Sequence, residues 1–146
     1  MGTQQILMIV LSVIVVGSAV AVGIQMFDTQ ANNQARNAIV SDLMSMAVQA
    51  QAWWRTPVVM GGPVGGAITS TNLPELVRFI NLAWNGVGPH TNPTANYTFA
   101  VDSPTSIKIR GESIQNPEIV AEATIELRGG NIDDSYGINI VNVATP

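Results

Sequence analysis

The sequence predicts an α+β protein in which a long N-terminal helix packs on a small antiparallel sheet of about four strands. Three observations lead to this prediction. Residues 3–27 form an apolar run without a charged residue. Residues 28–55 continue with apolar side chains at helical spacing, and the last third of the chain alternates between apolar and polar residues. We therefore expect three segments: an apolar helix half at 1–27, an amphipathic half at 28–55 and a globular head at 56–146.

The apolar run is long enough to cross a bilayer. At ~1.5 Å per residue, residues 3–27 extend roughly 37 Å as a helix, against ~30 Å for the hydrocarbon core. A single segment in lipid satisfies its own backbone groups only as a helix. A cleavable secretory signal is the less favoured interpretation, because no Lys or Arg precedes the apolar residues. The segment therefore belongs either in a membrane or inside a bundle of identical helices.

The amphipathic half is predicted from apolar residues that recur at steps of three or four. No Pro or Gly interrupts residues 28–55, and Pro57 ends the helix. Trp53 and Trp54 are expected to pack the base of the helix against the sheet. The apolar positions are Ala31, Ala35, Ile39, Leu43, Met46, Ala50 and Trp53.

The head begins with a loop and a short helix. Residues 56–66 contain two Pro and four Gly, so we expect no regular element there. A helix is predicted over 73–82, capped by Thr71 and Asn72. Residues 85–93 read as a further loop, which holds the only histidine, His90.

Four strands are predicted after residue 93 from the alternation of apolar and polar side chains. The first two, near 97–102 and 107–110, are joined by a hairpin turn at residues 102–105. The third covers 119–128; Glu118, Glu122 and Glu126 make a helix the alternative, although the β-branched residues favour a strand. The fourth covers 136–143.

Composition excludes several classes of function. Charged residues make up 11% and the formal net charge is −4, which argues against nucleic acid as the main partner. There is no cysteine. A lone loop histidine supports neither a metal site nor a catalytic triad, so we expect no enzyme and no cofactor. The residues around Asp133 and Asp134 read as a turn, and Asn96 begins an N-x-[ST] pattern for which chance is favoured over glycosylation.

The layout of the whole chain resembles that of a type IV pilin. An uncharged N-terminus, an apolar half-helix and an amphipathic half-helix lead into a Gly-rich loop and a small β head, and residues 1–55 are the closest part of the likeness. The family usually carries Glu at position five of the mature chain, where this sequence has Gln5, or Leu7 if the chain is processed after Gly2. The family's helix-breaking Pro is also missing from the apolar segment.

The resemblance implies a homopolymer: an extracellular filament on a bacterial cell surface, held in the inner membrane before assembly and built by the pilus assembly machinery. It implies N-terminal processing and methylation at Met1 or Thr3, and filaments of this family serve in adhesion and motility. Without the Pro, the helix is expected to loosen at Gly17, Ser18 and Gly23. The residues expected to pack in the filament core are Ile6, Leu7, Ile9, Val10, Val13, Ile14, Gly17, Ala21 and Ile24.

Two alternatives to a major pilus subunit stay open. One is a minor pilin or a pseudopilin of a secretion system, which would form only a short assembly. The other is a membrane-anchored surface domain that never polymerises. Low charge and the small residues Gly17, Ala19 and Ala21, which permit close approach of helices, favour polymerisation.

Overall fold

The computed structural model of the chain describes residues 2–80, 89–127 and 138–144. It confirms the predicted α+β class: a long N-terminal helix followed by a head with an antiparallel sheet. The chain divides into two compact units, Met1–Gln34 and Ala35–Pro146. The elements are α1 (Gly2–Trp54), α2 (Leu73–Phe79), β1 (His90–Thr91), β2 (Ala95–Ser103), β3 (Ser106–Ser113), β4 (Ile119–Glu126) and β5 (Ile138–Ala144).

Helix α1 has the predicted length and ends where the sequence indicates. The Thr56 amide donates to the Trp53 carbonyl oxygen over 3.0 Å, and the Thr56 hydroxyl donates to the Ala52 oxygen over 3.1 Å. These bonds satisfy carbonyl groups that the end of a helix leaves without partners. Pro57, which follows at once, cannot continue the helix.

The sheet is a meander in which each strand pairs antiparallel with its neighbour in sequence, in the order β1-β2-β3-β4-β5. The four predicted strands are confirmed as β2 to β5, and residues 119–126 form a strand rather than the alternative helix. Residues 136 and 137 of the predicted fourth strand, and residue 128 of the third, lie outside the described residues.

Strand β1 is a correction to the sequence prediction, which places residues 85–93 in a loop. His90 pairs with Tyr97, and Thr91 with Asn96. Asn92 supplies the reason, because its side-chain oxygen accepts hydrogen bonds of 2.8 Å from the amides of both Thr94 and Ala95. This turn brings the two residues before it back alongside β2.

The β2–β3 turn lies one residue later than predicted. Strand β2 continues through Ser103, and only Pro104 and Thr105 connect it to β3. The register shifts between Val101 and Ser103, which places Asp102 at an irregularity of the strand rather than in the turn. The Ser103 hydroxyl accepts the Thr105 amide over 3.3 Å and so closes the turn.

The expectation that residues 56–66 hold no regular element is wrong. Two single-turn 3₁₀ helices lie there, Val58–Met60 and Val64–Gly66. The first is closed by the Met60 amide, which donates to the Pro57 oxygen over 2.8 Å, and ends at Gly61 with φ of 89°. Such short turns need only local hydrogen bonds, which a Pro- and Gly-rich segment still provides.

Helix α2 is shorter than predicted. It spans Leu73–Phe79, whereas the prediction is 73–82, and residues 81 and 82 lie outside the described residues. Asn72 occupies the N-cap position but makes no side-chain capping bond to the helix. Its side chain instead accepts from the Thr69 amide over 2.7 Å and donates to the Ala67 oxygen over 3.0 Å, so it fixes the preceding loop. The predicted cap is thus corrected to a loop contact.

The core of the second unit lies between one face of α1 and one face of the sheet. Gly111 brings the two together, because a Cβ there would lie 2.7 Å from Ile39 Cγ2 and 2.9 Å from Tyr97 Cε1. Trp53 is 1% exposed and the half-buried Trp54 packs against the core, as expected for the helix base. The α1 residues buried in this core are Ile39, Leu43, Met46, Ala47, Ala50 and Trp53.

Candidate assembly surface on the N-terminal helix

The first unit exposes apolar side chains on every side of α1. All residues from 2 to 34 are exposed except Gly23, which is half-buried. The large apolar side chains from Ile6 to Phe27 range in exposure from 51% at Val10 to 74% at Phe27. Continuous apolar surface of this extent exceeds the few hundred Å² that a soluble monomer usually presents to water. Such a surface is compatible with a lipid or protein environment.

Length and composition make this segment compatible with a membrane. Among the described residues, α1 is the one helix long and apolar enough to cross a bilayer. The first charged residue of the chain is Asp28, which directly follows the apolar segment. Membrane association of the N-terminal helix is therefore consistent with the structure.

The hydroxyl groups within the apolar segment are satisfied inside the helix. The Ser12 hydroxyl lies 2.8 Å from the Met8 carbonyl oxygen and 2.9 Å from that of Ile9. The Ser18 hydroxyl donates to the Val15 oxygen over 2.9 Å. Because these groups have partners in their own helix, an apolar environment leaves neither of them without a hydrogen bond.

Gly17 and Gly23 lie within the helix although the chain itself provides no packing reason for them. A Cβ at either position would meet nothing within 4 Å. Each Gly costs about 1 kcal/mol of helix stability relative to Ala. The helix runs unbroken through Gly17, Ser18 and Gly23, so loosening there stays a prediction. Close approach of a neighbouring helix is the second explanation for these positions.

The residues predicted to pack in the filament core lie on the exposed part of α1. Six of the nine follow steps of three or four along one face, namely Ile6, Val10, Val13, Gly17, Ala21 and Ile24. All nine are exposed. Their role in a filament core stays a prediction.

Of the two candidate positions for N-terminal processing, Met1 and Thr3, only Thr3 lies among the described residues. Thr3 and Gln5 are both exposed in the first turn of α1. Methylation at either candidate position stays a prediction.

The other sequence-derived sites are spread over the head. Asn96 is half-buried on β2, and its side-chain oxygen accepts the Thr91 hydroxyl over 2.7 Å. Glycosylation there stays a prediction. His90 lies on β1, and no cluster of metal-binding side chains occurs among the described residues. Asp133 and Asp134, for which the sequence predicts a turn, lie outside the described residues.

Sequence reasoning missed a polar contact that ties α1 to the sheet in the second unit. The Tyr97 hydroxyl donates to Asp42 Oδ2 over 2.8 Å, and the Asn92 side chain donates to the same oxygen over 3.2 Å. Burial raises the pKa of Tyr97 well above its usual range, and the adjacent Asp42 carboxylate raises it further. No sequence pattern signals this contact, because 55 residues separate its two main partners.

No known protein family, curated protein or solved structure matches this chain.

Proposed function

We propose that the chain is the structural subunit of an extracellular filament of the type IV pilus kind, polymerising through the apolar half of α1. The observation that carries the proposal is the apolar surface from Ile6 to Phe27, exposed on every side and uncharged. A bundle of identical helices covers such a surface in water, and a membrane covers it before assembly. The subunit is assigned no enzymatic activity, cofactor or metal.

The competing function is a membrane anchor on a surface domain that does not polymerise. Length and hydropathy alone suit both functions. Gly17 favours polymerisation over anchoring. Glycine lowers the stability of an isolated helix, and a Cβ at this position would contact no atom of its own chain. Between packed helices, the same residue allows the backbones to approach closely.

The first test isolates the assembled form. Filaments sheared from the surface of bacterial cells that produce the chain are purified, and their main component is sequenced. We expect this chain to be the main component, with its apolar segment present. Recovery of the chain only as a detergent-extracted monomer, with no filament containing it, contradicts the proposal.

The second test separates assembly from anchoring by a single substitution. Gly17→Leu makes the segment more favourable in lipid, so membrane insertion is retained. In a helix bundle the larger side chain separates the backbones, and filament yield falls at least tenfold. Val20→Leu is the matched control because it places the same side chain three residues away while adding a single methylene group. Normal filament yield from Gly17→Leu would show that assembly does not need close helix approach at Gly17, whereas a chain that inserts in the membrane and forms no filament even as wild type favours the anchor.

A further inference from the structure

The first turn after α1 exposes apolar side chains at its tip. Val59 is 97% exposed, Met60 is 77% exposed and Val58 is 55% exposed. Pro57 and Gly61, which flank these three residues, are exposed as well. We call residues 57–61 the apolar tip. Nearly the whole surface of its central side chain is open to a partner.

The apolar tip is held in one conformation by the residues around it. The buried Trp53 donates its indole N–H to the Gly61 carbonyl oxygen over 2.8 Å. Gly62 is buried next to it, and a Cβ there would collide with the Thr56 carbonyl oxygen. Because the turn is already fixed, binding through its exposed side chains orders little additional backbone.

Backbone hydrogen bonds inside the apolar tip suit an apolar environment. The Met60 amide donates to the Pro57 oxygen over 2.8 Å, and the Gly61 amide donates to the Val58 oxygen over 3.1 Å. Pro57 itself has no N–H group. Unpaired backbone groups are costly in lipid, and these bonds leave fewer of them to be desolvated.

The sequence around the apolar tip contains no carboxylate. Between residues 43 and 74 the one charged residue is Arg55, which is exposed and lies two positions before the tip. Trp54, beside it, is half-buried. Arg and Trp are both favoured where an apolar phase meets lipid headgroups, since the Arg side chain reaches headgroup phosphates and the indole ring lies at the interface. This composition is typical of a segment that enters a lipid surface.

The apolar tip is too small for a stable protein interface. Its three large side chains expose on the order of 300 Å², against ~800 Å² for each partner of a standard protein complex. A lipid surface needs no complementary shape, because its molecules rearrange around an inserted side chain. The size of the tip therefore favours lipid over a protein as its partner.

We propose that the apolar tip inserts into a lipid surface, with Arg55 at the level of the headgroup phosphates. The inference rests on the proposed filament and gives that filament a partner, namely the lipid surface of a cell that it contacts. Three side chains bind weakly by themselves. Copies repeated along a filament engage the same surface together, which raises the overall affinity by about 10²–10⁴.

The test measures binding of sheared filaments to phosphatidylcholine vesicles by flotation on a density gradient. The tip variant carries Val59→Ser together with Met60→Ser. The control carries Phe79→Ser together with Ile114→Ser, at two other exposed apolar positions of the head. We expect the tip variant to lower the floated fraction at least tenfold while the control stays near wild type. Thermal unfolding of the tip variant is expected to match the wild type, because both side chains are exposed.

The outcomes separate the lipid contact from the filament function. Wild-type filaments that do not float with vesicles, or equal flotation of the tip variant, overturn the lipid contact and leave the filament function standing. Filaments that bind cells but not vesicles overturn it as well and indicate a protein receptor. Loss of filaments from the tip variant with unchanged unfolding also overturns it, because the tip would then lie between subunits.

A second measurement does not depend on filament formation. The full chain is held in nanodiscs by α1, and Val59→Cys is labelled with the environment-sensitive dye nitrobenzoxadiazole, since the natural chain contains no cysteine. We expect phosphatidylcholine vesicles at millimolar lipid to raise the fluorescence at least twofold, with no change for a label on Ala100→Cys, at an exposed position of the sheet. No rise at Val59→Cys overturns the lipid contact. A rise in a chain that forms no filaments supports the lipid contact and overturns only the filament function.

Discussion

The two halves of α1 obey the same helical geometry but depend on different surroundings. In the second unit, Ile39, Leu43 and Ala50 are fully buried against the head of the same chain. In the first unit, side chains of the same kind, such as Ile9 and Val13, are more than 60% exposed. The comparison teaches that a helix is specified by local pattern, whereas its stability comes from whatever covers its apolar surface. For the first half, the cover that we propose is a membrane before assembly and copies of the same helix afterwards.

The largest effect is expected from a charge in the first half. Val13→Asp costs about 2.5–3.5 kcal/mol for placing the carboxylate in an apolar interior, and we expect it to abolish filaments. Yield of sheared filaments is the measurement, and Thr98→Asp, at an exposed sheet position, is the control. Wild-type yield from Val13→Asp would show that the first half is not covered in the assembled state.

The next prediction compares how much a leucine in each half of α1 contributes to the free energy of unfolding. Leu43→Ala removes a fully buried side chain, and we expect it to lower the free energy of unfolding by about 2–5 kcal/mol. Leu11→Ala makes the same change at a position that is 61% exposed, and we expect less than about 0.5 kcal/mol. Denaturant unfolding of the full chain in detergent, followed by Trp fluorescence, measures both. Equal losses would break the comparison.

A smaller effect tests the polar contact between α1 and the sheet. Tyr97→Phe removes the hydroxyl that donates to Asp42, and we expect a loss of about 1–2 kcal/mol. A double-mutant cycle with Asp42→Asn isolates the pair, since the two losses should not add if they share this bond. Additive losses would mean that the contact contributes nothing to stability.

The same tyrosine predicts a dependence on pH. Because burial raises the pKa of Tyr97 in the folded chain, the folded state holds this proton more tightly than the unfolded state. The corresponding stability is complete below about pH 10, the pKa of an unfolded tyrosine, and is lost as the pH rises above it. Unfolding titrations from pH 8 to 12 should show this loss in the wild type. If the Tyr97→Phe variant loses stability in the same way, groups other than Tyr97 cause the loss.

The smallest effect concerns Gly23. Because a Cβ there meets nothing within 4 Å, Gly23→Ala should stabilise the helix of the isolated subunit by about 1 kcal/mol. Amide hydrogen exchange around residue 23 in detergent is then expected to slow by about fivefold. Unchanged exchange would show that the helix is not loosened at this glycine, and the proposed weak point would be wrong.

Elements defined by local pattern could be predicted from the sequence. The period of α1, its end before Pro57 and the alternation in β2 to β4 each depend on neighbouring residues, and each is confirmed. The apolar surface of the candidate site follows from composition alone.

Features that depend on hydrogen bonds to distant or unexpected partners could not be predicted. Strand β1 depends on the turn made by the Asn92 side chain. The sequence predicts Asn72 as a helix cap, but its side-chain amide binds the preceding loop. The Asp42–Tyr97 contact appears only once the fold brings α1 to the sheet. Tertiary structure determines which of several possible partners a polar side chain binds.

The serine hydroxyls of the apolar segment have a consequence for how a subunit changes environment. Ser12 and Ser18 bind carbonyl groups of their own helix, so neither demands a matching group on a neighbour. In the filament that we propose, such a helix could turn about its axis or shift lengthwise as it left lipid, because neither hydroxyl would have to break a bond to a neighbour. The shapes of the aliphatic side chains would then select its final orientation.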